Sequence, residues 1–75
     1  MSSSSSATVN RRDITLEEDF EYVTIFEKAY YWVARLSGNL STGEAAEMSR
    51  SGGTSAEALA NLEAAITEQG WVIEP

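Results

Sequence analysis

Apolar residues recur at helical spacing in one part of the chain and alternate as in strands in another. After Thr54, the residues Leu59, Leu62 and Ile66 fall on one side of a 3.6-residue period, with Ala58 and Ala65 beside them. Thr54 and Glu57 carry the spacing of a capping box, in which the hydroxyl accepts an orphan amide bond and the carboxylate reaches back. The pattern predicts a helix over residues 55–69, ended by Gly70 in the left-handed conformation. Further upstream, Ile14 and Leu16 alternate with polar residues, the acidic run Glu17-Glu18-Asp19 follows, and then come FEYVTIF and YYWVARL. Their β-branched and aromatic residues predict strands over residues 22–26 and 30–36, joined by a turn at Glu27-Lys28-Ala29. In the first strand Val23 and Ile25 oppose Tyr22, Thr24 and Phe26; in the second Tyr30, Trp32, Ala34 and Leu36 oppose Tyr31, Val33 and Arg35. One sheet face is expected to pack on the helix, leaving Tyr31 and Val33 for a second subunit or a partner.

A competing pattern is present. Leu16, Phe20, Val23, Tyr30 and Ala34 also fit an amphipathic helix running from a Thr15 cap, and Glu27-Lys28-Ala29 lacks the glycine or asparagine of a tight hairpin. The expected fold class is α+β, a small antiparallel sheet of about three strands packed by one C-terminal helix; the alternative is a small all-α bundle, which would suit an acidic helical adaptor or virion-associated interaction protein without catalysis. Residues 37–53 are rich in loop formers. Within them Thr42 and Glu44 to Met48 suit a short helical turn, and residues 46–51 suit a third strand with Met48 toward the core and Arg50 on the opposite side. Trp71-Val72-Ile73 suits a terminal strand or an apolar lid, with Trp32 and Trp71 as packing residues.

Seventy-five residues allow one small domain. Residues 1–12, MSSSSSATVNRR, hold too little apolar surface to offset their ordering entropy, so a disordered tail is expected there and a single domain over residues 13–75. The remaining core is small, and without cysteine or histidine neither disulfides nor a zinc site can supplement it, which makes a homo-oligomer or a tight complex the expected source of further burial. Twelve acidic residues against five basic ones give a net charge of −7, which argues against direct nucleic-acid binding. That acidity suits a basic partner, a salt-rich interior, or simply the solubility of a small protein. No membrane span or secretory leader is recognisable, and the expected location is the cytoplasm.

The stretch SRSGGTSAEALANLEAAI over residues 49–66 resembles the HicB-like antitoxin family, whose small domains carry a sheet followed by a pattern close to SQGDT-x-EEAL-x-NL-x-EAI. VTIFEK and YYWVARL are similar to the two strands that precede it there, including the aromatic-Val-Ala element at Trp32, Val33 and Ala34, so the resemblance spans about residues 22–66. It implies a three-stranded antiparallel sheet with one packed helix, and a protein that neutralises a small basic messenger-RNA-cleaving toxin by covering its active surface. Within that implication Trp32, Thr54, Leu59, Leu62 and Ile66 hold the scaffold, and Tyr31, Glu57 and Glu63 are the candidate partner-binding residues. The chain departs from the family pattern in three places. The hairpin is compressed, residues 39–47 are longer than their equivalent, and Gly53 stands where the family has an acidic residue. The segment after Gln69 is too short for the separate DNA-binding domain that many members carry, so operator binding is not expected.

An enzyme would have to work without histidine or cysteine. Glu17, Glu18 and Asp19 with Glu44 or Glu47 make no recognised metal loop, and Ser51-Gly52-Gly53 lacks the lysine and glycine spacing of a phosphate loop. Neither catalysis nor a cofactor is expected.

Overall fold

The computed structural model describes residues 7–74. In chain order these form β1 (Thr8–Asn10), a 3-10 turn (Arg11–Asp13), β2 (Ile14–Tyr22), β3 (Lys28–Asn39), β4 (Ala45–Gly52), α1 (Ser55–Glu68) and β5 (Val72–Glu74). Strands β2, β3 and β4 make an antiparallel sheet in that order, and β1 pairs in parallel with β5 as a separate ribbon. This is the α+β class, a three-stranded sheet with one C-terminal helix, and the all-α alternative is overturned.

The first strand of the sheet lies earlier than residues 22–26. Its sequence, ITLEEDFEY, places Ile14, Leu16, Phe20 and Tyr22 on one face and Thr15, Glu17, Asp19 and Glu21 on the other, so the acidic run is part of a strand and not a turn. The register pairs Ile14 with Leu36, Leu16 with Ala34, Glu18 with Trp32, Phe20 with Tyr30 and Tyr22 with Lys28. Val23, Thr24, Ile25 and Phe26 therefore form the hairpin tip instead of a strand. Thr24 closes it, its hydroxyl accepting bonds from the amides of Phe26 (3.2 Å) and Glu27 (3.0 Å), while the Val23 amide donates to the Glu27 carbonyl at 3.0 Å. A threonine side chain thus substitutes for the missing glycine or asparagine.

Residues 45–52 form the third strand, with no helical turn ahead of it; Gly43, at φ +96°, turns the chain into β4. Its register sets Met48 beside Leu36 and Arg50 beside Ala34, so the two share the helix-side face. The expectation that Arg50 points opposite Met48 fails because residues two apart on a strand point the same way. Arg50 is exposed on the edge strand, its guanidinium donating to the Ser49 carbonyl at 2.6 Å.

Helix α1 covers this face, packing chiefly on β4 and β3. Thr54 caps it, its Oγ1 accepting from the Glu57 amide at 3.0 Å. The far end closes as a Schellman turn: Gly70 (φ +84°) donates to the Thr67 carbonyl at 2.9 Å and Trp71 to that of Ile66 at 3.2 Å. The helix sits close to the sheet at Gly52, where a Cβ would lie 2.5 Å from the Ala58 amide nitrogen. Asn61 fastens the same corner by donating to the Ser51 carbonyl at 2.9 Å.

The core joins Ala58, Leu62 and Ile66 of the helix to Ala34, Leu36 and Ala46 of the sheet, with Leu40 and Val9 at one end. Trp32, Met48, Trp71 and Ile73 are half-buried against it. Leu59 is half-buried and stands outside the helix's fully buried set of Ala58, Leu62, Ala65 and Ile66. Residues 8–12, expected within a disordered tail, instead belong to β1 and the 3-10 turn. Val9 is 1 % exposed, and β1 is held by Thr8 to Ser41 bonds of 3.0 and 3.1 Å and by the Val72 amide donating to the Ala7 carbonyl at 2.9 Å. The Ser-rich residues 1–6 lie outside the described residues.

Candidate functional site

Strand β4 ends at Gly52, opposite Trp32, and the helix begins just after it. Beyond that rung only β2 and β3 continue, so residues 19–31 form a two-stranded arm. The described residues contribute neither a third strand nor a helix to it. The molecule is accordingly long, 58 × 18 × 18 Å, with a radius of gyration of 14.9 Å against about 11 Å for a compact chain of this length.

Strand alternation gives the arm two unlike faces. On the helix side Phe20, Tyr22 and Tyr30 cluster, with ring centroids 5.5 Å apart for Phe20 and Tyr22 and 6.0 Å apart for Phe20 and Tyr30. The Lys28 ammonium stands over them, 4.6 Å from the Phe20 ring centre and 5.7 Å from that of Tyr22. At the tip, Ile25 and Phe26 are 83 % and 89 % exposed. Eight large apolar side chains are exposed in the described residues, against five buried ones. Seven of the eight, all but Val72, belong to β2, the tip and the start of β3.

On the opposite face Glu17, Asp19 and Glu21 occupy alternate positions of the edge strand, about 7 Å apart. Beside them on β3 stand Val33, Tyr31 and Ala29, their direct cross-strand partners. Among the described residues no cation shares this face of the arm, since Lys28 lies on the other side and Arg35 is nearer the base, paired with Thr15. Tyr31 is half-buried; that partial burial and then the Asp19 and Glu21 carboxylates raise its phenol above the ordinary value.

The three candidate partner-binding residues do not converge. Tyr31 is on the uncovered sheet face, whereas Glu57 and Glu63 belong to the helix on the other side of the sheet. Glu57 lies in the first helical turn, where a carboxylate favours the helix dipole, and Glu63 pairs with Arg11 at 3.6 Å. Of the two, Glu63 is engaged within the chain through that ion pair. The acidic partners of Tyr31 are instead Glu17, Asp19 and Glu21, which a turn at residues 17–19 would have scattered. Their signal is the apolar alternation from Ile14 to Tyr22, broken only at Glu18. Alternation also separates Glu18 from Glu17 and Asp19, and among the described residues no three acidic side chains are grouped so as to hold a metal ion. No helix of the described residues is long and apolar enough to cross a membrane.

Comparison with protein-family models, with curated proteins and with solved structures returned no match.

Proposed function

We propose that this chain is a non-catalytic binding protein that masks a small basic protein, as HicB-like antitoxins mask their messenger-RNA-cleaving toxins. The observation that carries the reading is the uncovered outer face of the arm, where three carboxylates line an edge strand beside Tyr31 and Val33. A row of like charge whose nearest cation on that face, Arg35, stands one rung toward the base steers an oppositely charged partner and raises its association rate. The neighbouring tyrosine offers the amphipathic contact area on which interface energy concentrates. An edge strand adds a second mode of attachment, because β2 presents unpaired backbone groups on the side away from β3. Partner and protein meet, in this reading, in the cytoplasm.

The test is inhibition of RNA cleavage by a HicA-like toxin from the same organism, titrated with this protein. The expected result is stoichiometric inhibition that is lost in a Glu17→Lys, Asp19→Lys, Glu21→Lys triple variant and kept in Glu68→Lys, on the helix. Absence of binding and inhibition at excess protein, or inhibition indifferent to the triple change, would refute the reading.

A further inference from the structure

From the other face of the arm we infer that it docks against the same face of a second copy of this chain, in an antiparallel two-fold contact centred on the Phe20–Tyr30 rung. This inference is independent of the basic partner, which takes the outer face.

Burial points to the arm first. Of nine buried apolar residues four are alanines, and the large exposed ones gather on the arm. Taking about 200 Å² for a fully exposed aromatic side chain, and somewhat less for an aliphatic one, the exposures of Leu16, Phe20, Tyr22, Val23, Ile25, Phe26 and Tyr30 leave roughly 800 Å² uncovered. The largest apolar patch of a typical monomer is about 300–600 Å², and a stable complex of standard size takes about 800 Å² from each partner. About half of that area belongs to the helix-side face itself and the rest to the tip, so a contact of standard size buries both.

Charge then selects the occupant. The chain carries −7 overall, yet on the helix-side face the three rungs centred on Phe20–Tyr30 hold one carboxylate, Glu18 at the root of the arm, and one ammonium, Lys28 near its tip. A two-fold axis through the central rung exchanges the flanking rungs. It lays the Glu18–Trp32 rung of each copy over the Tyr22–Lys28 rung of the other, with Glu18 and Lys28 diagonal neighbours across the contact, and repeats the pairing by symmetry. The next rungs out bring the apolar tip of each arm to Leu16 of the other copy. A face that is neutral as a whole and complementary to itself under a two-fold rotation fits a second copy of an acidic chain. A basic protein or an anionic lipid surface finds no matching charge there.

Sedimentation equilibrium of the full chain, with folding followed by circular dichroism, tests this. The wild type is expected to dimerise. Glu18→Lys and Lys28→Glu are each expected to weaken dimerisation about tenfold or more by setting like charges together twice, and the double variant to recover it. Because rescue requires a folded double variant, a misfolded single variant does not decide the outcome. A wild type that stays monomeric at millimolar concentration overturns the inference. So does a dimer indifferent to both swaps, a double variant as weak as the singles, or a monomer that binds neutral phosphatidylcholine vesicles through its tip.

Discussion

Replacing Gly52 with alanine isolates the closest approach in the fold. A Cβ at Gly52 would lie 2.5 Å from the Ala58 nitrogen, 2.8 Å from the Glu57 carbonyl carbon and 3.0 Å from the Ala58 Cα, all of them backbone atoms. No rotamer change relieves such a contact. To reach ordinary separation near 3.4 Å the first helical turn must withdraw by about 1 Å, which loosens Ala58 from the sheet and strains the Asn61 bond to Ser51. Overpacking of this kind costs about 1–3 kcal/mol. Alanine also restricts the unfolded chain, which returns about 0.4–1 kcal/mol, so the net loss should be about 1–2 kcal/mol. For a domain of this size that lowers Tm by roughly 5–15 °C. Gly53 supplies the control, because its added Cβ would meet only the Glu57 carboxylate at 4.0 Å, and Gly53→Ala should leave Tm nearly unchanged. The assay is thermal unfolding followed by circular dichroism at fixed protein concentration, since self-association makes Tm concentration-dependent. A Gly52→Ala variant as stable as the wild type would refute the close packing of helix on β4.

Further expectations concern the helix and Tyr31. Leu62→Ala empties a site of 0 % exposure and should cost about 2–5 kcal/mol in chemical denaturation, whereas half-buried Leu59 should cost clearly less; equal losses would contradict a helix rotated to bury Leu62. Thr54→Ala removes the hydroxyl bonded to the Glu57 amide and should lose about 1 kcal/mol, most of it recovered by serine. The Tyr31 phenol is raised above its unfolded value near 10, so the stability it contributes is complete below about pH 10 and lost as pH rises through its folded value. Wild type should therefore lose more stability than Tyr31→Phe as pH rises above about 10. The phenolate absorbance difference between the two folded proteins should titrate above 10; a midpoint below 10 would refute the shift.

Much of the helix was legible in sequence because its signals are local. Thr54 and Gly70 mark its ends by their own chemistry, and Leu62 and Ile66 repeat with its period. The strand Lys28–Asn39 was legible in its facing, since burial of Ala34 and Leu36 follows from alternation alone. The hairpin was less so. Residues 23–26 have strong strand propensity, yet a turn conformation wins there because the Thr24 hydroxyl satisfies two tip amides and because β2 starts at Ile14, opposite Leu36, so that pairing ends at Tyr22 and Lys28. Val9 and Leu40 were hidden in polar segments; the pairing of β1 with β5, sixty-odd residues apart, brings Val9 to the core, and Leu40 joins it at the end of β3, where the Ser41 amide bonds to the Thr8 carbonyl. The acidic face escaped notice for a related reason. Three consecutive carboxylates carry no strand pattern of their own until the register divides them between two faces.

The two-faced arm carries both functional readings, and cross-strand nuclear Overhauser contacts in solution measure it most directly. The register of β2 on β3 requires backbone contacts that pair Glu18 with Trp32, Phe20 with Tyr30 and Tyr22 with Lys28, with residues 23–27 between. Contacts pairing residues 22–26 with 30–36, or a continuous helix through residues 16–36, would contradict it.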